Sequence, residues 1–368
     1  DIDGEQVRDL LTFADGHGMS LGRLPRLAEL RDGMNDPTAI RPVAVEDLLG
    51  RPRTVLDRDA MQTLVRNRRV LITGAGGTIG SELVRQIADI GPETLVLFDS
   101  AEYLLYEIDM AITREHPTLK KRPYLGDVRD RQRIDDVIAR EKPELVFHAA
   151  ALKHVPMVER NPNEGVLTNV VGTRNVADAC RAADVRLMVH ISTDKAVNPA
   201  NIMGATKRLA ESYCQALDLS GQENESTRFV VVRFGNVLGS RGSVVPLFQS
   251  QLARGGPLTV TDPEMTRYFM TVHEAVELVL QASALGLTEA ESEGRIFVLD
   301  MGEPVKIIDL ARQIIRLAGL QPDKDVAIEI IGPRPGEKRH EVLLHEKETP
   351  VPTACDGLTL AAPRTPDL

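Results

Sequence analysis

Between residues 69 and 236 the apolar positions of the chain fall into two alternating patterns. Short, nearly unbroken apolar runs, "RVLITGA", "TLVLFDS", "ELVFHAAA", "VRLMVHIST" and "RFVVVRFGN", predict strands buried on both faces. A more polar run, "KRPYLGDV", predicts one further strand. Between them "GSELVRQIADIG", "AEYLLYEIDMAITREHP", "RQRIDDVIAREKP", "GVLTNVVGTRNVADACRAAD" and the stretch through Lys207 carry apolar residues at helical spacing. Buried strands separated by amphipathic helices predict an α/β fold, a doubly wound parallel sheet covered on both faces.

After Asn236 the rhythm breaks into loops and short elements. "IFVLDMGEPVKIIDLARQIIRLAG" and "VAIEIIGPRPGEKRHEVLL" are each expected to form a strand and then a helix. The expected organisation is therefore a nucleotide-binding Rossmann domain over 68–236 and a smaller C-terminal substrate lobe over 237–348, interleaved with it. Residues 349–368 are Pro-rich and read as a loosely packed C-terminal extension. Residues 1–67 read as the tail of a preceding α/β domain plus a linker. In that stretch "GEQVRDLLTFADGHGMSLGRLP" predicts a helix and a short strand with no earlier strand to pair with, so the chain is expected to continue upstream.

Composition narrows the class. A chain of 368 residues with 42% hydrophobic residues can build a substantial core. The net charge of -10, without a basic block, argues against nucleic acid or an anionic membrane surface as a partner. Cys180, Cys214 and Cys355 are far apart and make no metal-binding spacing, so no metal is expected. No apolar run is long enough to cross a bilayer.

The first chemical motif is "TGAGGTIG", where Gly74, Gly77 and Gly80 follow the first strand and open a helix. Glycines let the backbone approach a pyrophosphate, and the helix N-terminus offers N–H donors. Thr78 and Ile79 complete that turn. Asp99, with Ser100 beside it, ends the second strand, where a carboxylate can accept from the adenosine ribose and would repel a 2′-phosphate. No Arg or Lys follows in "DSAEYLLYE", so NAD is expected over NADP. Asp127 and Val128 at the third strand end, and Ala149, Ala150 and Ala151 at the fourth, are further expected cofactor contacts.

The second motif, "HISTDKAVNPANIMGATKRLAE", poses a problem. A strand end with Ser-Thr and a helix with Lys207 is how many nicotinamide enzymes build their site, but the Tyr expected four residues before the Lys is Met203. A thioether cannot carry a proton.

"TGAGGTIGSELVRQI", "HAAALKHVPMVE", "STDKAVNPANIMGATKR", "VRFGNVLGSRGSVVPLF" and "RPGEKRHEVLL" together resemble the UDP-N-acetylglucosamine 4,6-dehydratases. These are extended short-chain dehydrogenases/reductases of bacterial polysaccharide and glycan biosynthesis. The likeness runs from about Ile40 to Leu344 and is nearest to the long, membrane-anchored type, which also carries Met in place of Tyr. It implies a protein held at the cytoplasmic face of the inner membrane through an absent N-terminal region, acting as a homodimer or larger assembly on UDP-N-acetylglucosamine. Family chemistry oxidises carbon 4, eliminates the 6-hydroxyl after loss of the carbon-5 proton, and returns the hydride to carbon 6.

By that resemblance Thr193 hydrogen-bonds the 4-oxygen, Asp194 protonates the departing hydroxyl and Lys195 takes the carbon-5 proton. Asp194 must then start protonated and Lys195 neutral. Lys207 keeps only its contact with the nicotinamide ribose. Arg267 and Arg334 resemble the diphosphate ligands, Glu337 the uridine ribose acceptor, and Thr259, Ser243 and Pro246 the uracil end; Lys153 and Asn236 are expected to face the sugar. Two rivals remain open: a UDP-hexose 4-epimerase of the same fold, and a non-catalytic NAD-binding scaffold. The first needs no carbon-5 base and normally keeps the Tyr; the second needs neither "TDK" nor the two arginines.

Overall fold

A computed structural model of the protein describes residues 4–17, 19, 21–24, 40–49, 55–221, 227–289 and 292–362. The middle of the expected linker, residues 50–54, lies outside the described residues. The chain forms two compact units.

The larger unit comprises Thr54–Val237, Val272–Met301 and Arg334–Leu368. Its sheet has nine strands, named here in chain order. They are β1 Arg69–Thr73, β2 Thr94–Asp99, β3 Lys121–Leu125, β4 Leu145–His148, β5 Leu187–Ile191, β6 Arg228–Arg233, β7 Ile296–Leu299, β8 Pro350–Pro352 and β9 Leu358–Ala361. Across the sheet they run β8-β9-β7-β6-β5-β4-β1-β2-β3. From β3 to β7 every pairing is parallel, and β9 and β8 close one edge antiparallel. This is the doubly wound Rossmann arrangement, whose switch point lies between β1 and β4.

The helices used below are α1 Thr78–Ile90, α2 Glu102–Glu115, α3 Arg131–Glu141, α4 Thr173–Ala182, α5 Ile202–Leu219 and α6 Val272–Thr288. Local chemistry sets their ends. The Asp130 carboxylate accepts from the Arg133 N–H to cap α3, the Asn201 side chain accepts from the Gly204 N–H to cap α5, and Gly91 ends α1 at φ 87°. The core beneath joins Leu71, Val96, Phe98, Val146, Met188, Val231 and Val298 from the strands to Ile134, Val176 and Cys214 from the helices. Each such side chain contributes about 1.5–3 kcal/mol when buried.

The smaller unit comprises Asp1–Arg53, Leu238–Thr271 and Gly302–Pro333. Its core packs Val245 and Phe248 of the helix Val244–Leu252 with Leu310, Ile314 and Ile315 of the helix Ile307–Leu317. The strand Leu258–Val260 pairs parallel with Ile328–Ile330, and Thr266–Arg267 pairs antiparallel with Val305–Lys306. The helix Gly4–Gly16 belongs here too, because Leu11 packs with Val43, Leu48 and Leu317. Its short strand finds a partner downstream, Gly22–Arg23 against Arg41–Pro42.

Three expectations need correction. Helix α6 and strand β7, placed in the substrate lobe by sequence order, belong to the larger unit. "VAIEIIGPRPGEKRHEVLL" forms the strand Ile328–Ile330 but no helix, because Pro333, Pro335 and Gly336 (φ 78°) break the chain into turns. The segment expected to be a loose extension supplies β8 and β9, with Leu358, Leu360 and Ala361 buried. Among the described residues no helix is long and apolar enough to cross a membrane.

Candidate active site

The carboxyl ends of β1, β2, β3, β4, β5 and β6 carry the candidate cofactor residues and the "STDK" segment. At β1, Gly74 takes φ 69°, and a Cβ there would lie 2.6 Å from the Ala150 N and 2.8 Å from the Ala149 carbonyl carbon. A Cβ on Gly80 would lie 1.9 Å from the Gly74 oxygen. Neither position admits a side chain, so the turn packs against the loop of β4 at the switch point and leaves open backbone above α1. Asp99 Oδ2 accepts from the Gly76 N–H at 2.8 Å and Oδ1 from the Ala101 N–H at 2.9 Å. The carboxylate thus fixes the glycine turn while each oxygen keeps a lone pair for a ligand hydroxyl. Ser100 beside it is exposed. Gly77, Thr78 and Ile79 lead into α1. This cradle fits a dinucleotide.

Asp127, beyond β3, grips the side chain of Arg129, which also reaches Glu164. Val128 is buried in the core, and the Asn175 amide donates to its carbonyl at 3.1 Å. At β4 the loop Ala149–Lys153 is held by Asn169, which sequence reasoning missed. Its Oδ1 accepts from the Leu152 N–H at 2.8 Å and its Nδ2 donates to the Leu152 oxygen at 2.9 Å. Asn169 lies in the π-helical turn Val166–Gly172, a distortion that often marks functional sites.

Strand β5 delivers the "STDK" segment. The Ser192 N–H donates to the Val232 oxygen and the Asp194 N–H to that of Phe234, so β6 fixes the loop. The Thr193 hydroxyl donates to Asp194 Oδ1 at 2.9 Å, and Lys195 Nζ donates to the same oxygen at 2.9 Å. Lys195 Nζ also donates to Asn236 Oδ1 at 3.0 Å. Asp194 is fully buried, and among the described residues its Oδ2 has no hydrogen-bond partner. One oxygen is therefore doubly hydrogen-bonded and the other is left open.

Met203 is 2% exposed on α5, one turn before Lys207. Lys207 Nζ donates to the Ile191 oxygen at 2.5 Å and lies 3.1 Å from His190 Nε2. The Lys207 ammonium only donates, so His190 Nε2 accepts and Nδ1, which has no partner among the described residues, carries the proton. Burial pushes the Lys207 ammonium down to about 8, against the pull of Glu211. Burial, then the Lys207 charge, push His148 down to about 3 and His190 well below the ordinary histidine value. Both imidazoles stay neutral. His148 bridges the hydroxyls of Thr73 (2.7 Å) and Thr173 (2.9 Å).

Below Thr193 lies a buried ionic cluster with no local sequence signal. The Ser192 hydroxyl donates to Glu211 Oε1 at 2.6 Å. Arg233, fully buried, donates to both oxygens of Glu211 (3.1 and 2.9 Å) and of Glu348 (2.8 and 3.3 Å), and to the Leu343 oxygen. It joins β6, α5, the strand end before Thr193 and the chain leading to β8.

The remaining candidates fall into separate units. Arg334 and Glu337 share a turn in the larger unit, the Arg334 N–H donating to Glu337 Oε2 at 3.1 Å. That turn is tied to the loop after β5. Asn201 Nδ2 donates to the Gly336 oxygen and Lys338 Nζ to the Val197 oxygen. Lys153 is exposed after β4. Ser243, Pro246, Thr259 and Arg267 belong to the smaller unit. There Ser243 precedes the helix Val244–Leu252, Gln251 of that helix grips Thr259, and Arg267 is buried on its short strand. Among the described residues no group of His, Cys, Asp or Glu is placed to hold a metal ion.

Comparison with known proteins agrees with this geometry. Residues 70–362 match the family described as "Polysaccharide biosynthesis protein". The capsular polysaccharide biosynthesis protein CapD of Staphylococcus aureus is 47% identical over 94% of this chain, which spans only 56% of that relative's length. A UDP-N-acetylglucosamine 4,6-dehydratase (inverting) of Campylobacter jejuni is 36% identical, covering 78% of this chain and 80% of the relative. A UDP-glucose 4-epimerase of Rickettsia typhi is 37% identical, covering 77% and 79%. Among solved structures, DesIV of Streptomyces venezuelae, a dTDP-glucose 4,6-dehydratase with NAD bound, shares the fold. Its TM-score is 0.65 at 22% identity, with 75% of this chain and 88% of that one covered. With the family match spanning the glycine cradle, the "STDK" loop and the closing strands, this chain belongs to the polysaccharide biosynthesis protein family, an extended short-chain dehydrogenase/reductase group of Rossmann fold.

Proposed function

We propose that this chain is the catalytic part of an NAD-dependent UDP-N-acetylglucosamine 4,6-dehydratase. The observation that carries the reading is the Thr193–Asp194–Lys195 contact at the end of β5, with a hydroxyl and an amine on one carboxylate oxygen. NAD bound over the glycine cradle supplies the hydride acceptor at carbon 4 and the donor at carbon 6. The Asp99 carboxylate favours NAD over NADP, and titrating both cofactors tests this.

The protons are the protein's task. Thr193 takes a hydrogen bond from the 4-hydroxyl and gives its own hydrogen to Asp194, an outlet for the proton lost on oxidation. With Lys195 a neutral amine 2.9 Å away, the proton so received turns Asp194 from carboxylate into acid, the pairing that elimination needs. Lys195 then takes the carbon-5 proton as Asp194 protonates the 6-oxygen, which leaves as water. Lys195 returns that proton to carbon 5 as the hydride reaches carbon 6, so both groups end as they began. Lys207, positioned by the neutral His190, would hold the ribose side of the cofactor, and Met203 fills the Tyr position as an apolar side chain.

The epimerase relative supports a second reading, oxidation and re-reduction at carbon 4 alone. That reaction has no use for an amine poised on an acid. Incubation with UDP-N-acetylglucosamine and NAD, followed by mass spectrometry, separates the two: loss of water supports the dehydratase, and an unchanged mass with a new carbon-4 configuration overturns it. The proposal extends to a homodimer or larger assembly at the cytoplasmic face of the inner membrane. Native mass spectrometry and fractionation of the full-length protein test those parts.

A further inference from the structure

We infer that Asn236 is the positioning residue of Lys195, which fixes where the lone pair of the amine points, and not a ligand of the sugar. The inference rests on the reading of Lys195 as carbon-5 base. Asn236 opens the short strand Asn236–Val237, three residues beyond β6. Because Ile191 of β5 pairs with Val232 of β6 and the Asp194 N–H donates to the Phe234 oxygen, the two strand ends advance together and bring Asn236 opposite Lys195. Lys195 Nζ lies 3.0 Å from Asn236 Oδ1 and 2.9 Å from Asp194 Oδ1. The amide oxygen is the atom that faces the amine, and the amide NH2 points elsewhere.

The count of hydrogens gives the role. A neutral amine has two N–H bonds and one lone pair. Two acceptors stand within hydrogen-bond reach, so both hydrogens are used and the lone pair is left for the substrate. Tetrahedral geometry at nitrogen then directs that lone pair away from both acceptors. With Asp194 alone, the amine could rotate about its flexible stem and spend its lone pair in any direction. The second acceptor is also neutral. A carboxylate at this place would favour the charged form of an amine, which cannot act as a base, whereas an amide oxygen accepts from either form.

The test uses the protein with NAD and UDP-N-acetylglucosamine, unlabelled and deuterated at carbon 5. Three quantities are measured: the single-turnover rise of reduced cofactor absorbance, the loss of water, and the substrate dissociation constant. For Asn236→Ala the elimination should slow by about ten- to a hundredfold, as expected for a misdirected reacting group. Oxidation at carbon 4 and substrate affinity should stay within about threefold of wild type, and the carbon-5 deuterium effect on water loss should grow. If Asn236→Ala does not fold, Asn236→Asp, which keeps the shape, should show the same stall. A tenfold loss of substrate affinity with unchanged elimination would place Asn236 on the sugar and overturn the inference. Failure of the wild-type protein to release water would instead overturn the dehydratase reading on which it rests.

Discussion

The hydroxyl of Thr193 donates to the carboxylate of Asp194 at 2.9 Å, on the oxygen that also receives Lys195. In the proposed reaction one residue of this group serves the first step and another the second, so single substitutions should separate them. Thr193→Val should slow carbon-4 oxidation by about a hundred- to ten-thousandfold and leave little reduced cofactor. Lys195→Ala should oxidise carbon 4 and then stall with reduced cofactor and a 4-keto sugar that retains its 6-hydroxyl. Stopped-flow absorbance distinguishes them. Oxidation at the wild-type rate by Thr193→Val would remove Thr193 from the chemistry.

Met203 is buried where a proton-carrying residue would be expected, and its sulfur has no task in the proposed reaction. Met203→Leu conserves volume and should cost less than about 1.5 kcal/mol of stability. Its turnover should stay within a fewfold of wild type. Steady-state kinetics and thermal unfolding check both, and a dead but folded variant would mean that the sulfur participates.

Arg233 sits between two buried carboxylates, so its removal takes a buried cation from both and leaves Glu211 with Arg208. Arg233→Met should destabilise the protein by about 3–5 kcal/mol at neutral pH. Burial alone would push the Glu211 carboxyl up, but Arg233, Ser192 and Arg208 outweigh it and hold the group below its ordinary 4.5. In the wild type that contribution is present above 4.5 and lost as pH falls through the lower folded value. In the variant Glu211 loses the largest cause that holds it down while burial still pushes it up, so less of that contribution remains. The stability gap between the two proteins should therefore narrow from pH 7 to pH 4, as urea unfolding would show. A gap that widens on acidification would contradict this account.

Strands β8 and β9 cover the edge of β7, and Leu358 and Leu360 enter the core. Deleting residues 349–368 should expose a parallel strand edge together with apolar surface, and aggregation should follow. Size-exclusion chromatography gives the readout. A monodisperse, fully active truncation would show that the edge needs no cover.

The Rossmann core was legible because its strands are buried on both faces and so read as apolar runs, as in "TLVLFDS" and "RLMVHIS". The last two strands were hidden by Pro350 and Pro352, which look like linker residues but are tolerated on an edge strand with few ladder bonds to make. The helix expected after Ile331 fails because Pro335 and Gly336 break the chain into turns. In the site, Thr193, Asp194, Lys195 and Lys207 were legible because they are close in sequence. Arg233, Glu211 and Glu348 were not, since only the folded sheet brings residues so far apart together. Asn236 was found, but its partner was not, because nothing in the chain's local pattern tells a sugar ligand from a support for a neighbouring amine.

The turn that carries Arg334 and Glu337 is fastened to the loop between Lys195 and α5, through Asn201 to the Gly336 oxygen and Lys338 to the Val197 oxygen. Anything that orders one segment lowers the entropy still to be lost by the other. A diphosphate held by Arg334 would thus tighten the catalytic loop before the sugar reacts, and a preformed loop would tighten the grip on the diphosphate by the same factor, since coupling between two binding events is reciprocal. The nucleotide half of such a substrate then acts as more than a handle: its affinity and the order of the reacting groups become one quantity, and UDP alone should protect the backbone amides of residues 194–201 from hydrogen exchange.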